Sequence, residues 1–386
     1  MNFAIYTNIL TPYRMHFYNA LYENAKINGD TFHVIVMAET EPNRNWNYND
    51  LKKTYTILLK NYTIAIKEKY THINTNLKQT LRKLNLDIIV CAGGYNCPGV
   101  WDVLRMKKKL GYKTFFWSES HLNESRNYNR LKKTTIELIR RSVYSKFDGF
   151  WYAGKMSLDF IKKYSMQNAE YYFMPNLVEE KKYKKVLQYT PEYIAQLKIK
   201  YGVPFGKVVM FCPARLSPVK GIDKFLPILS KVKNKDKIVF FIAGDGTLKR
   251  KIKMLANELQ LDVRLLGYCE QDKIIDFYAI SDYFVLPSLS DPNPLTCIEA
   301  LWSGLPLFIS KHCGNYPEVI KTAVNGYAFD YAEEKQTIEN LSKLLSADSL
   351  WKENARNMSI SIAEKNYNTV TVVEEVMQYF RQIVNS

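Results

Sequence analysis

Two carboxylates, Asp291 and Glu299, stand eight residues apart in the stretch SDPNPLTCIEALWSGLP (290 to 306). Between them the sequence carries the marks of a helix start. Asn293 is a good N-cap, and Pro294 suits the first helical position because proline lacks only an N–H that the first turn leaves unpaired. The helix is predicted to run from Leu295 to Trp302 and to stop at Gly304 and Pro306. A helix N-terminus attracts anions through its open amides and dipole, yet here acids flank it. From Asn293 to Glu299 the rise is roughly 9 Å at about 1.5 Å per residue. That exceeds the roughly 5 Å between the carboxyls of a retaining hydrolase, although an inverting spacing stays open. The pattern suits a ligand that is anionic in its middle and hydroxylated at both ends, the shape of a nucleoside diphosphate sugar. Taken alone, Asp291 as a capping charge and Glu299 as a solvated one would explain the same residues.

Further residues of suitable chemistry lie upstream. FCPARLSPVKG (211 to 221) places Arg215 and Lys220 on a loop leaving an apolar run. Such a pair can clamp a diphosphate, Arg with a planar fork and Lys as a point charge. In AGDGTLKRKI, Gly244 and Gly246 permit a tight turn directly into a helical pattern. A lone AGDG is as often structural. Three consecutive strand ends followed by the acidic motif are much harder to obtain by chance.

These loops need elements to hold them. Short, nearly continuous apolar runs recur at 3 to 7, 32 to 38, 87 to 93, 113 to 117 and 149 to 154, then at 208 to 214, 237 to 244, 263 to 267, 283 to 288 and 305 to 310. Continuous rather than alternating runs predict strands buried on both faces. The intervening stretches are long enough for crossover helices, with patterns at 221 to 233, 247 to 260, 270 to 280, 294 to 303 and 369 to 384. The expected class is α/β, with two Rossmann-like doubly wound domains facing each other across a cleft. The predicted division is 1–178, 179–364 and a C-terminal helix, 365–386, packing back on the N-terminal domain.

A chain of 386 residues suits two domains. With 47% hydrophobic residues, wholesale disorder is excluded. The six cysteines, Cys91, Cys97, Cys212, Cys269, Cys297 and Cys313, form no CxxC pairs, which fits a reduced, cytoplasmic compartment. No signal peptide or membrane span is read in the sequence. The formal charge of +16 draws on basic clusters at 106 to 113, 130 to 146 and 181 to 185. In RLKKTTIELIRRSVYSK (130 to 146), apolar residues are interleaved with basic ones, as an anionic membrane surface would favour. AT-rich coding would also enrich Lys, Asn, Ile and Tyr together. No recognition motif accompanies the charge to indicate nucleic acid.

Six elements in order resemble one family: PNLV (175 to 178), ARLSPVKG (214 to 221), AGDG (243 to 246), LLGY (265 to 268), LPS (286 to 288) and D-x7-E ending in EALWSGLP (299 to 306). Over roughly residues 174 to 330 the chain resembles the family 4 glycosyltransferases, retaining enzymes of the GT-B fold. The resemblance implies transfer of a sugar from a nucleotide-sugar donor, most often a UDP-sugar, to a glycan or lipid-linked glycan hydroxyl. Surface polysaccharide, lipopolysaccharide or glycoprotein assembly would fit, with the protein cytoplasmic or peripheral on the inner membrane. It also implies that Asp291 meets donor-sugar hydroxyls, Glu299 holds the ribose, and Arg215 and Lys220 hold the diphosphate. Gly244, Gly267 and the segment Asn293, Leu295 and Thr296 would complete the nucleotide site. No cofactor or essential metal is expected. Replacing Glu299 by Ala is expected to remove nucleotide affinity with little effect on unfolding.

Two departures bear on the donor. The first acid of the motif is usually Glu, so Asp291 is one methylene shorter. Pro294 replaces a common Gly and removes an amide. The first half resembles the family less: TNILTPYRMHFYNAL (7 to 21) stands where many members have a glycine-rich loop. There Arg14 would either touch phosphate or acceptor or be a solvated charge. GGYNCPG (93 to 99) supplies a loop, more often a turn than a site. FFWSESHLNE (115 to 124) offers Glu119 and His121 as candidates near the reacting carbon, or as surface polar residues. A nucleotide-sugar epimerase of the same fold and a non-catalytic glycan-binding protein are the competing readings.

Overall fold

The structure is a computed structural model and describes residues 1–41, 47–66, 69–122 and 130–385. The chain forms two compact units. Among the described residues, one takes the chain up to Val178 together with the segment from Thr369, and the other takes Glu179–Asn368.

Among the described residues, the first unit holds a sheet of seven strands: β1 (Asn2–Thr7), β2 (Thr31–Val36), β3 (Thr56–Leu58), β6 (Ile88–Cys91), β7 (Lys113–Ser118), β8 (Gly149–Tyr152) and β9 (Glu170–Phe173). A separate antiparallel hairpin comprises β4 (Asn61–Ile66) and β5 (Lys69–Asn74). The sheet order is β3-β2-β1-β6-β7-β8-β9, parallel throughout. Every residue of β6 and nearly every residue of β1 and β7 is buried, which is why these runs are apolar without alternation. One face is covered by the helix Pro12–Ile27 and by Thr369–Asn385, which pack on each other. On the latter helix Phe380 stacks on Trp151 at 5.3 Å and meets Phe3 at 5.8 Å and Phe115 at 5.6 Å. Each such side chain contributes about 1.5–3 kcal/mol on burial. Arg381 adds an ion pair to Asp30 at 2.8 Å.

The second unit repeats the principle with β10 (Val208–Pro213), β11 (Ile238–Ala243), β12 (Asp262–Gly267), β13 (Tyr283–Leu286), β14 (Leu307–Ser310) and β15 (Gly326–Phe329). Their order is β12-β11-β10-β13-β14-β15, again parallel. The helix Ser349–Tyr367 belongs to this unit, and the chain passes to the other between Asn368 and Thr369.

In each sheet one strand has later strands on both sides: β1 between β2 and β6, and β10 between β11 and β13. The loops leaving a parallel sheet diverge at such a reversal and open a crevice at the carboxyl ends of the strands. The loop after β10 carries Arg215 and Lys220; the loop after β13 carries Asp291.

The predicted strand runs all appear, but β3, the β4–β5 hairpin, β9 and β15 are additions. In the hairpin, Tyr62 and Ile64 are exposed while His72 is buried, so its one-sided pattern lacks the continuous run used to recognise the central strands. The four-residue β9 and β15 are too short to stand out by periodicity.

Candidate functional site

Three loops at the carboxyl ends of β10, β11 and β12 are tied by backbone hydrogen bonds. Ala214 N donates to Ala243 O at 2.9 Å, Leu216 N to Asp245 O at 3.0 Å, Leu248 N to Leu216 O at 2.9 Å and Gly244 N to Gly267 O at 2.7 Å. Glycine is required where they touch. Gly244 has φ 149°, and a Cβ there would lie 2.2 Å from the Ala214 carbonyl oxygen. At Gly246, with φ 156°, it would lie 2.5 Å from the Leu216 oxygen. Arg215 sits between the two bonded residues, its backbone fixed and its side chain exposed. Gly267 has φ 70° and open space around it.

The reversal between β10 and β13 is drawn together in the same way. Leu289 N donates to Val219 O at 2.8 Å, and the Tyr331 hydroxyl donates to Gly221 O at 3.1 Å and Pro287 O at 2.6 Å. Asp291 is anchored from the far side: its amide donates to His312 O at 3.2 Å, and its carbonyl accepts from Gly314 N at 2.8 Å. Across this crevice the Lys220 ammonium donates to the Asp291 carboxylate. Both side chains are largely withdrawn from water, 18% and 12% exposed. The family resemblance implies Lys220 on the phosphate and Asp291 on the sugar; in the structure the two are partners of each other.

The helix after Asp291 runs Leu295–Trp302, as expected, but its N-cap is Pro294 rather than Asn293. Pro294 keeps an extended ψ of 115°, and its carbonyl accepts from Cys297 N at 3.2 Å and Asn315 Nδ2 at 3.0 Å. Asn293 is therefore one residue too early to cap, and is buried beside the helix start. Leu295 and Thr296 occupy the first turn, whose amides lack intrahelical acceptors.

Glu299 is half-buried, not solvated. It accepts from the Tyr278 hydroxyl at 2.6 Å and also has the Tyr183 hydroxyl as a partner. Burial pushes its carboxyl above the usual range, opposed by Tyr278, Tyr183 and then Lys182. The expectation that Glu299→Ala leaves unfolding nearly unchanged is thus corrected: it strands the buried Tyr278 hydroxyl, at about 1–3 kcal/mol. Sequence reasoning missed both tyrosines. They lie on the helices Gln271–Ile280 and Glu180–Lys184, and no local spacing marks them as partners of Glu299.

In the first unit, Glu119 and Arg14 come together. Arg14 Nη2 donates to Glu119 Oε1 at 2.7 Å, Asn176 Nδ2 donates to the same oxygen at 3.2 Å, and the guanidinium lies 4.0 Å from the Trp117 ring centroid. Neither Arg14 nor Glu119 is a simply solvated charge. Asn176 belongs to the PNLV motif (175 to 178). His121 is buried just beyond β7. The GGYNCPG loop leads into the helix Pro98–Leu110, where Gly99 packs against the Tyr6 hydroxyl with no room for a Cβ.

All six cysteines are free, and five are buried. Burial holds the Cys297 and Cys313 thiols well above the usual range and pushes Cys212 up to about 12, so these are structural thiols rather than nucleophiles. Among the described residues, no group of three or more His, Cys, Asp or Glu side chains is disposed to hold a metal ion.

Residues 193–365 match the family of glycosyl transferases, group 1. The matched region contains the loops after β10, β11, β12 and β13 and all of the residues from Arg215 to Glu299 described above. N-acetyl-alpha-D-glucosaminyl L-malate synthase of Bacillus anthracis is 25% identical over 53% of this chain and 51% of its own length. Spore coat protein SA of Bacillus subtilis is 30% identical over 48% of this chain and 52% of its own. The chain thus spans about half the length of these curated relatives. The fold extends further: the structure of HepE from Anabaena in complex with UDP superposes over 99% of this chain and 100% of that one, with a TM-score of 0.77 at 15% identity. The architecture is that of the GT-B glycosyltransferases, two Rossmann-like α/β domains.

Proposed function

We propose that the protein is a glycosyltransferase that binds a nucleotide-sugar donor at the carboxyl ends of β10 to β13 and transfers the sugar, with retention, to a glycan hydroxyl. The observation that carries this reading is the Lys220–Asp291 pair at the strand-order reversal, with exposed Arg215 on one side and the helix Leu295–Trp302 on the other. A diphosphate entering there meets Arg215, Lys220 and the amides of Leu295 and Thr296. Lys220 then shares its charge with phosphate, freeing Asp291 to accept sugar hydroxyls. Glu299 takes the ribose, and Gly244 and Gly267 let the nucleotide approach the backbone.

The chemistry asked of these groups is electrostatic. Charge develops on the leaving diphosphate, and donors already fixed in place stabilise it with little reorganisation. No side chain is assigned as nucleophile, and transfer is proposed to proceed without a metal, undiminished by a chelator. UDP is the favoured nucleotide, supported by its presence in the HepE structure. Glu119 and His121 are proposed on the acceptor side.

The acceptor is proposed to be a glycan or lipid-linked glycan reached at an anionic membrane surface. The helix Arg130–Tyr144 supports this, with Leu131, Leu138 and Ile139 exposed by 82%, 64% and 42% among exposed Lys132, Lys133 and Arg141. No described helix is long and apolar enough to cross a membrane.

The deciding experiment incubates the purified protein with UDP-, GDP-, ADP- and TDP-sugars and candidate acceptors. Free nucleotide together with a product keeping the donor's anomeric configuration is expected. A donor converted to a sugar isomer would replace the reading with epimerisation, and absence of donor binding would replace it with glycan binding alone.

A further inference from the structure

Glu299 is held by two tyrosines that reach it from separate helices. Tyr278, on Gln271–Ile280, donates to Oε2 at 2.6 Å. Tyr183, on Glu180–Lys184, has Glu299 as a hydrogen-bond partner, and its ring meets Tyr278 edge-on at 5.6 Å and 87°. The ring packing makes the two hydroxyls a fixed pair rather than two independent contacts. A carboxylate offers about four acceptor positions. With two hydroxyls donating, about two remain, matching the two donors of a vicinal diol.

We propose that Tyr278 and Tyr183 are positioning residues, holding the Glu299 carboxylate in the orientation that leaves its remaining acceptor positions open to the ribose diol of a nucleoside diphosphate. This rests on the donor reading given above and extends it to residues that do not touch the ligand. Burial and then the Glu299 charge push both phenols above their ordinary range, so both stay protonated and serve only as donors to the acid. Among the charged groups around Glu299, Lys182 favours the carboxylate, while Glu179 lies beside Tyr183. Cys297, on the helix of Glu299, remains a neutral thiol. The helices Tyr316–Val319 and Ser349–Tyr367 also pack on Leu295–Trp302. Among their ionisable groups, Tyr367 lies near Glu318 and Cys297, Glu364 pairs with Lys184 at 3.3 Å, and Arg356 lies against Gly304.

Removing one hydroxyl while keeping the ring leaves Glu299 less firmly aimed and less favourable as a carboxylate. The ribose then loses its acceptor at a higher pH than in the wild type. The test is calorimetric titration with UDP, GDP, ADP and TDP, the last lacking the 2′-hydroxyl of the diol, and with the 2′,3′-dideoxy form of whichever ribonucleotide binds, from mildly acidic to neutral pH. It compares the wild type, Tyr278→Phe, Tyr183→Phe and Glu299→Gln. Each Tyr→Phe change is expected to weaken ribonucleotide binding about three- to tenfold, to leave dideoxynucleotide binding unchanged, and to move the acid-side loss of affinity to higher pH. Glu299→Gln should abolish that pH dependence. If both Phe variants keep the wild-type ribose preference and pH profile while nucleotide binds, the positioning role is overturned and the donor reading stands. If the wild type binds none of the four nucleotides, both fall together.

Discussion

Lys220 and Asp291, 71 residues apart in the chain, form an ion pair between the loops that leave β10 and β13. Both are mostly shielded from water, so neither is tolerated well without the other. Lys220→Met or Asp291→Asn alone is expected to cost about 2 kcal/mol of stability, below the full cost of breaking a completely buried pair because some exposure remains. The double variant should cost less than the sum. A urea-denaturation double-mutant cycle reads the difference; strict additivity would show that the pair is not coupled.

Glu299 gives stability a definite pH dependence. Burial raises its folded pKa above the unfolded value. Its contribution is then fully present below the unfolded pKa and is lost as pH rises through the folded one. Glu299→Gln keeps the shape and an acceptor but has no such titration. The unfolding free energy of the wild type relative to Glu299→Gln should therefore fall between acidic and neutral pH. A flat or rising difference would contradict the burial argument.

The glycines at the strand ends differ in what they tolerate. Gly267→Ala meets open space and should cost only the positive-φ penalty, about 1–2 kcal/mol. Gly244→Ala drives a methyl into the Ala214 carbonyl and forces the loops carrying Arg215 and Asp245 apart. It should destabilise more and weaken nucleotide binding as well. Comparable melting temperatures for the two variants would argue against the close approach.

On the helix Arg130–Tyr144, Leu131→Ser together with Leu138→Ser should leave thermal unfolding nearly unchanged, since both side chains already face solvent. Sedimentation with anionic phospholipid vesicles should fall severalfold, whereas zwitterionic vesicles should recover little of either protein. Equal recovery of variant and wild type would remove this helix as the contact. The acid on its length, Glu137, is engaged with Lys163 at 3.2 Å and offsets its positive charge only in part.

Much of the architecture was legible because burial on both faces makes a parallel strand an unbroken apolar run. β10, β11, β13 and β14 announce themselves in this way, and the loops after them follow. Loops also carry their own chemistry, so Arg215, Lys220, Asp291 and Gly244 could be picked out one at a time. What the sequence did not show was who meets whom. The pairing of Lys220 with Asp291, of Arg14 with Glu119, and of Glu299 with Tyr183 and Tyr278 arises from tertiary contacts between distant segments. Asn293 misled for a local reason: it has the right side chain for an N-cap, but the extended ψ of Pro294 starts the helix one residue later.

The helix Thr369–Asn385 closes over Phe3, Phe115 and Trp151, residues made long before it. During synthesis, all of Glu179–Asn368 must leave the ribosome before those aromatic rings receive their cover. Until then the first 178 residues display a greasy flank, so nascent chains stalled short of Thr369 should be ready clients for chaperones even though most of their strands are already made.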